Sequence, residues 1–240
     1  MNINFEEYID QIRQVQQLNI EGRVVDAFNI LNKMKNNLGV INTSNSYSDD
    51  ERQLIFNVYY LLFEVQWKLF KSEECFNYGE IAAEIISDYS QKVKVYYNLT
   101  IYSMQLNKLE SSHQYIQLAE ACKSPIDKAL ILQSKARLLQ KEHNYEDAIS
   151  VFCEAAYEAE GINQTRLLVR IILDMAESWE QIGKHEIALN EIERATKIAK
   201  DTHDFNFYLR AVVKKVKLLY RLGKDADAKQ LLLTLQYPND

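Results

Sequence analysis

The chain has 240 residues but only 6 glycines and 2 prolines, whereas average usage of about 7% and 5% would give roughly 29 in total. So few turn residues disfavour an all-β sandwich or barrel, which turns about every 8–12 residues, and a doubly wound α/β fold with glycine-rich loops. The net charge of −6 provides no basic field for nucleic acid or anionic lipid, and 47% hydrophobic residues are too many for a disordered chain.

The start of the chain and its cysteines indicate a cytoplasmic protein without membrane association. The N-terminus has no basic region followed by an apolar run, as a signal peptide would, and no window approaches the roughly 18 uncharged apolar residues of a membrane span. Cys75, Cys122 and Cys153 are few, odd in number and far apart. This is typical of buried thiols in a reducing compartment rather than of disulfides or a metal framework.

Helical hairpins are predicted along the whole chain, and a shared pattern marks the turn inside each one. In the clearest copies a turn residue precedes an alanine by five places, and core residues follow that alanine by four and seven. Amphipathic stretches of helical period lie between the copies. The turns begin, in chain order, at Gly22, Lys71, Asn107, His143, Gly183 and Gly223. The last three are gap-free copies 40 residues apart.

A polar segment interrupts this series after the first hairpin. Residues 38–50 form a loop insertion, which explains the longer interval before the second hairpin. Ser48 and Glu51 have the spacing of a capping box and predict that the next helix opens at Asp49.

Further helix boundaries are predicted downstream. Ser124 and Pro125 read as an N-cap followed by proline at the first helical position. Asn144 is a second candidate N-cap, and Gly161 predicts a helix end. Gly79 lies inside a helix, where close packing between helices explains a glycine.

These elements predict an all-α chain of about six antiparallel hairpins, or twelve helices, stacked as an α-solenoid. The small residue at the alanine position allows two helices to approach closely, and the apolar residues that follow bury against the first helix. Single hairpins cannot bury their faces alone, whereas stacked hairpins share one elongated core. We therefore expect one repeat domain over residues 1–240.

The turn pattern resembles that of the tetratricopeptide repeat (TPR). The pattern consists of a glycine, a histidine or aspartate two places later, and an alanine five places after the glycine. It matches the turn and the second helix of that repeat, and Trp179 occupies the aromatic position before Gly183. The 40-residue period exceeds the usual 34 or so and is similar to that of the peptide-pheromone receptors of Gram-positive bacteria. The resemblance covers roughly residues 20–238. It implies a superhelix that binds a peptide or protein on the concave wall formed by the first helices.

The repeat register predicts which side chains line that concave face. They mix amide, aromatic and charged groups, where a core-facing stripe would be aliphatic. Asparagine and glutamine pair with both the N–H and the C=O of an extended peptide, and tyrosine and arginine add contact area and charge. The predicted residues are Asn57, Tyr60, Glu64, Trp67, Lys94, Tyr97, Asn98, Gln133, Ser134, Arg137, Arg170, Asp174, Glu177, Arg210, Lys214 and Lys217. The alternative is that each belongs to the solvated face of an amphipathic helix.

Charge and hydropathy at the end of the chain indicate a possible second contact. Residues 1–90 carry a net charge of −7, whereas residues 204–240 carry +3, which would steer an oppositely patterned partner or the ends of two copies. The last predicted helix, residues 226–235, is leucine-rich and lacks a polar outer face. We expect it to dimerise or dock, although ordinary variation along a solvated array would also explain the charge.

No constellation indicates catalysis. The four histidines lack metal-ligand spacing, and no phosphate-binding glycine loop or nucleophile elbow is present. We expect no metal and no cofactor, no nucleic acid and no membrane. The predicted function is a non-enzymatic scaffold or adaptor that binds a protein or peptide. One alternative is a signalling regulator whose superhelix changes conformation when a peptide binds, and another is an enzyme of unrecognised type.

Overall fold

The computed structural model of the protein describes residues 5–43, 46–124 and 127–236, with side chains to residue 233. This part of the chain contains twelve α-helices, one short 3₁₀ turn (Glu73–Cys75) and no strand, so the predicted all-α hairpin fold is confirmed. The helices are α1 (Phe5–Ile20), α2 (Val24–Leu38), α3 (Asp49–Phe70), α4 (Phe76–Ile85), α5 (Tyr89–Gln105), α6 (Leu109–Ala121), α7 (Lys128–Lys141), α8 (Tyr145–Gly161), α9 (Thr165–Gln181), α10 (His185–Asp201), α11 (Phe205–Arg221) and α12 (Asp225–Gln236).

The contacts divide the chain into two compact units. The first unit is residues 1–125 with α1 to α6, and the second is residues 126–240 with α7 to α12. Within each unit every helix packs against the next, and short turns make consecutive helices antiparallel. We call the side formed by the first helices of the hairpins the inner face: α1, α3 and α5 in the first unit, and α7, α9 and α11 in the second. That one domain spans residues 1–240 stays a prediction.

In the second unit a turn of the same backbone conformation occurs every 20 residues, half the 40-residue interval found in the sequence. Gly183 and Gly223 have φ angles of 76° and 70°, and His143 adopts the same left-handed conformation with φ 64°. The turns between hairpins do so too, at Asn163 with φ 53° and His203 with φ 53°. Each of these turns closes by the same pair of backbone hydrogen bonds, from the left-handed residue and from the residue after it. The 40-residue repeat of the second unit therefore consists of two 20-residue helix-and-turn modules.

The small residue of each repeat lies in the packed interior. Ala148, Ala188 and Ala228 are fully buried, as are Cys75 and Ser112 at the equivalent positions of weaker repeats. The apolar position four residues later is buried in the two earlier gap-free copies but not in the last. In that last copy the side chain stays 38% exposed on α12.

The predicted helix boundaries are largely confirmed. The Ser48 hydroxyl accepts a hydrogen bond from the Glu51 N–H at 3.2 Å, and the Glu51 carboxylate accepts one from the Ser48 N–H at 2.9 Å, which completes the capping box. Helix α8 ends at Gly161. Asn144 holds the N-cap position, but its side chain donates to Asp147 at 2.7 Å instead of capping the helix. The start predicted at Pro125 lies outside the described residues.

The two cores differ in composition. The core of the first unit is richer in aromatic rings. There a Cβ added at Gly79 would lie 3.1 Å from the Leu99 side chain and 3.3 Å from Phe63, so this glycine permits close packing. Alanine and branched aliphatic residues dominate the second. Cys75 is buried as expected, whereas Cys153 is exposed, contrary to expectation.

Candidate functional site

The inner face of the first unit brings three predicted residues together from two helices. The Asn98 amide on α5 donates to the Tyr60 hydroxyl on α3 at 2.8 Å, and this hydroxyl donates to a Glu64 carboxylate oxygen at 3.0 Å. Burial raises the pKa of Glu64, and the hydroxyl that donates to it partly offsets the rise. Burial raises the pKa of Tyr60 as well, so the phenol stays a donor at neutral pH.

Two glutamines that the sequence reasoning missed extend this cluster. The Gln53 amide donates to the Asn57 side chain at 3.2 Å and faces the Gln91 amide of α5 at 3.4 Å. Gln53 lies one helical turn before Asn57, so the same helical spacing could have found it. Tyr97 is half-buried beside this cluster, and Lys94 is exposed.

Three predicted residues lie in the packed interior and not on an open surface. Trp67 is 6% exposed, and its ring stacks on Tyr102 with centroids 4.2 Å apart. Gln133 is fully buried, and Ser134 donates to the backbone of its own helix at 3.0 Å. The expectation that these side chains are open to a ligand is wrong, because all three are buried in the packing of the helices. Trp67 instead belongs to an aromatic cluster in which Tyr102 also contacts Phe63, and Phe63 contacts Tyr60.

In the second unit, Asp174 of α9 accepts hydrogen bonds from several polar side chains of α7. One Asp174 carboxylate oxygen accepts from Gln133 at 2.8 Å and from Arg137 at 2.7 Å. The Gln140 amide, which the sequence reasoning missed, donates to the Asp174 backbone carbonyl at 3.1 Å and to the Ser178 hydroxyl at 3.0 Å. Polar contacts therefore hold α7 and α9 together at the inner face.

A trough of about 510 Å³ separates α9 from α11 on the same face. Lys214 crosses it, donating to the Leu173 carbonyl at 2.6 Å and to the Glu177 carboxylate at 3.0 Å. An ion pair between Arg221 and Glu180 closes one end. We call this the α9–α11 trough; it is lined by Leu173, Asp174, Glu177, Glu180, Gln181, Leu209, Arg210, Val213, Lys214, Lys217 and Arg221.

Arg170, also predicted, lines a second hollow of about 590 Å³ at the start of α9, together with Arg166 and Phe207. Arg166 is paired with Asp204 at 2.7 Å. Hydrogen bonds from the Phe207 N–H and from Arg166 lower the pKa of Asp204, so this carboxylate is ionised at neutral pH.

Neither inner face presents a recognisable catalytic or metal-binding arrangement in the part of the chain that the structure describes. No group of three or more His, Cys, Asp or Glu side chains could hold a metal ion there. No described helix is long and apolar enough to cross a membrane. What the two faces offer instead is a set of hydrogen-bond donors, acceptors and charges on rigid helices.

Comparison with known proteins supports the fold. No family model and no curated protein sequence matches the chain. Solved structures do match over nearly its whole length. Aspartyl phosphate phosphatase F from Bacillus subtilis is 14% identical with a TM-score of 0.65, and the match covers 96% of this chain and 74% of that one.

Two further matches cover less of the other protein. NprR in complex with its cognate peptide NprX is 14% identical with a TM-score of 0.66, covering 96% of this chain and 66% of that one. A signal transduction ATPase of Pyrococcus horikoshii, which has a tetratricopeptide repeat sensor, is 14% identical with a TM-score of 0.59, covering 95% and 38%. The chain therefore has the TPR-like helical repeat fold that its turn pattern predicted.

Proposed function

We propose that this chain is a non-enzymatic binding protein that holds a peptide, or an extended segment of a partner protein, on its inner faces as a scaffold or adaptor. The observation that supports the proposal is the cluster of amide side chains on the inner face of the first unit, formed by Gln53, Asn57, Gln91 and Asn98. The Gln53 and Gln91 amides meet at 3.4 Å, near the long limit of a hydrogen bond. Such amides exchange partners readily, and each offers both a donor and an acceptor to a peptide backbone. NprR, which shares the fold, was crystallised with a peptide.

A peptide selection tests this proposal. A library of random peptides is displayed and selected on the full chain, and the selected peptides are measured again on the Tyr97→Ala, Asn98→Ala double variant. The matched control is Tyr157→Ala, Asn190→Ala, which removes the same two side chains from exposed positions on the second helices of the second unit. We expect the first variant to lose binding and the control to keep it. Equal binding by both variants would contradict the proposal for the first unit.

A second candidate function, a peptide-responsive regulator, is favoured by the contacts of Asp174. Because polar side chains join α7 to α9 on the inner face, a ligand that competes for Arg137 or Gln140 would loosen this joint and change the angle between hairpins. Small-angle scattering with and without a selected peptide distinguishes the two functions. A change in the radius of gyration supports a switch, and an unchanged profile supports a passive scaffold.

We also propose that the protein works in the cytoplasm and self-associates through α12. The three cysteines are free thiols, which suits a reducing compartment. On α12, Leu232 is 38% exposed and Leu233 is 57% exposed. Sedimentation of the full chain against Leu232→Glu, Leu233→Glu tests the self-association. We expect the wild type to dimerise and the variant to remain a monomer, and a monomeric wild type would refute it.

A further inference from the structure

The charges of the α9–α11 trough are unevenly matched. Its three carboxylates, on Asp174, Glu177 and Glu180, each have a basic partner: Arg137 at 2.7 Å, Lys214 at 3.0 Å and Arg221, respectively. Arg210 and Lys217 line the same trough and form no ion pair with any residue that the structure describes. Every acid of the trough is thus neutralised from within the fold, while these two cations face outward.

The two outward cations flank an apolar patch. Leu209 is 37% exposed and Val213 is 39% exposed, so apolar surface is open to a ligand beside the two cations. Val213 follows Arg210 by three residues and precedes Lys217 by four, so the three side chains share one face of α11. Arg210 is further held in place over the Phe207 ring, 5.3 Å from its centroid. The trough therefore presents a cation, an apolar patch and a second cation in line.

The spacing of these groups selects a ligand. Seven residues separate Arg210 from Lys217, or about 10.5 Å along the helix axis at about 1.5 Å per residue. A peptide in the polyproline II conformation has three residues per turn and advances about 3.1 Å per residue, so side chains three residues apart lie on one side, about 9.3 Å apart. Two carboxylates at this spacing match the separation of the two cations. The two side chains between them point to either side of this line, where an aliphatic one contacts the exposed patch of Leu209 and Val213.

We infer that the α9–α11 trough binds an acidic peptide segment in polyproline II form, with two carboxylates three residues apart on Arg210 and Lys217 and an aliphatic side chain on Leu209 and Val213. This inference rests on the proposed function, because it names the class of peptide that one part of the inner face takes. A nucleic acid is disfavoured as the occupant. Two outward cations provide too little positive charge for a continuous line of phosphates, and the lining has no aromatic ring on which a base could stack.

The test uses a defined probe on the full chain. The probe is a fluorescein-labelled peptide Gly-Glu-Leu-Val-Glu-Gly with blocked ends, and its control replaces both glutamates with glutamine. Fluorescence anisotropy is recorded with three proteins: the wild type, the double variant Arg210→Gln, Lys217→Gln, and the double variant Lys224→Gln, Lys229→Gln. The last variant removes the same number of charges from exposed positions before and on α12. Circular dichroism melting checks that all three proteins are folded.

We expect the glutamate peptide to bind the wild type and the Lys224/Lys229 control equally. Binding should weaken about tenfold on Arg210→Gln, Lys217→Gln and about tenfold on exchange for the glutamine peptide, since two exposed charge pairs are lost in either case. It should also weaken at high salt. Equal binding of the two peptides, or an unaffected double variant, overturns the inference, as does an oligothymidine that displaces the peptide at lower concentration than unlabelled peptide does.

The failure of this inference is distinguishable from failure of the proposed function. If the glutamate peptide does not bind, but library peptides are captured and lost in Tyr97→Ala, Asn98→Ala, the trough is not an acidic-peptide site and the proposed function stands. If the wild type captures no library peptide and no glutamate peptide, both fail.

Discussion

Left-handed turn residues offer a direct test of how the repeat is held together. His203 and Gly183 occupy equivalent turn positions twenty residues apart, with φ of 53° and 76°. The left-handed conformation costs a non-glycine residue about 1–2 kcal/mol. Glycine avoids this cost but loses more conformational entropy on folding, which offsets about 0.5–1 kcal/mol of the gain. We therefore expect His203→Gly to raise the free energy of unfolding by about 0.5–1 kcal/mol. A Cβ added at Gly183 meets no atom within 4 Å, so Gly183→Ala should lower it by a similar amount through the backbone alone.

The assay follows unfolding of the second unit by itself. The chain has two tryptophans, Trp67 in the first unit and Trp179 in the second. In a Trp67→Phe background, Trp179 fluorescence reports the second unit even where the two units unfold separately. A change of about 1 kcal/mol moves the urea midpoint by roughly 0.5 M. The control is Lys197→Gly, an exposed site within helix α10, which should lower the midpoint because glycine weakens a helix interior. If His203→Gly lowered the midpoint as this control does, strain at the turns would not be the determinant.

Three further predictions concern the first unit. Burial raises the pKa of Glu64 above 4.5, so the carboxyl keeps its proton to higher pH in the folded protein than in the unfolded chain. The wild type therefore loses stability as the pH rises from the unfolded pKa through the folded pKa. In urea titrations the stability of Glu64→Gln relative to wild type should increase from about pH 4 to 7, and a constant difference would refute the burial argument. Gly79→Ala should lower stability by about 1 kcal/mol, because overpacking against Leu99 outweighs the gain in helix propensity; an unchanged melting temperature would contradict this. Ser48→Ala should cost about 1 kcal/mol by removing the cap of α3, and Ser48→Asp should restore it.

The backbone of this fold was predictable because local sequence determines it. Turn glycines and the alanine position recur at a fixed interval, and both act within one hairpin. Composition alone missed the left-handed conformation of His143, Asn163 and His203, since histidine and asparagine are not turn glycines. Their spacing from Gly183, which is 20 residues for Asn163 and His203 and 40 for His143, would have indicated it, because equivalent turns between similar helices need the same backbone geometry.

The candidate site was less predictable, because helical periodicity places a residue on a face but does not reveal what covers that face. Trp67 has an inward register position, yet Tyr102 of the next hairpin stacks on it and removes it from the surface. Gln133 is covered in the same way because Asp174, 41 residues away, takes its amide. Gln140 was missed for the converse reason, since its partners on α9 give a polar side chain a place within a packed interface.

The two inner faces have one backbone design but opposite chemistry, and this difference separates their binding properties. In the first unit, neutral amides and Tyr60 surround one half-buried acid, Glu64, so a peptide held there gains hydrogen bonds that salt screens little. In the second, each trough carboxylate is already paired, and the outward cations Arg210 and Lys217 are exposed, so binding there depends on screened charge. Since the repeat fixes only where the first helices lie, the choice of partner resides in these side chains, and the salt dependence of a selected peptide indicates which unit holds it.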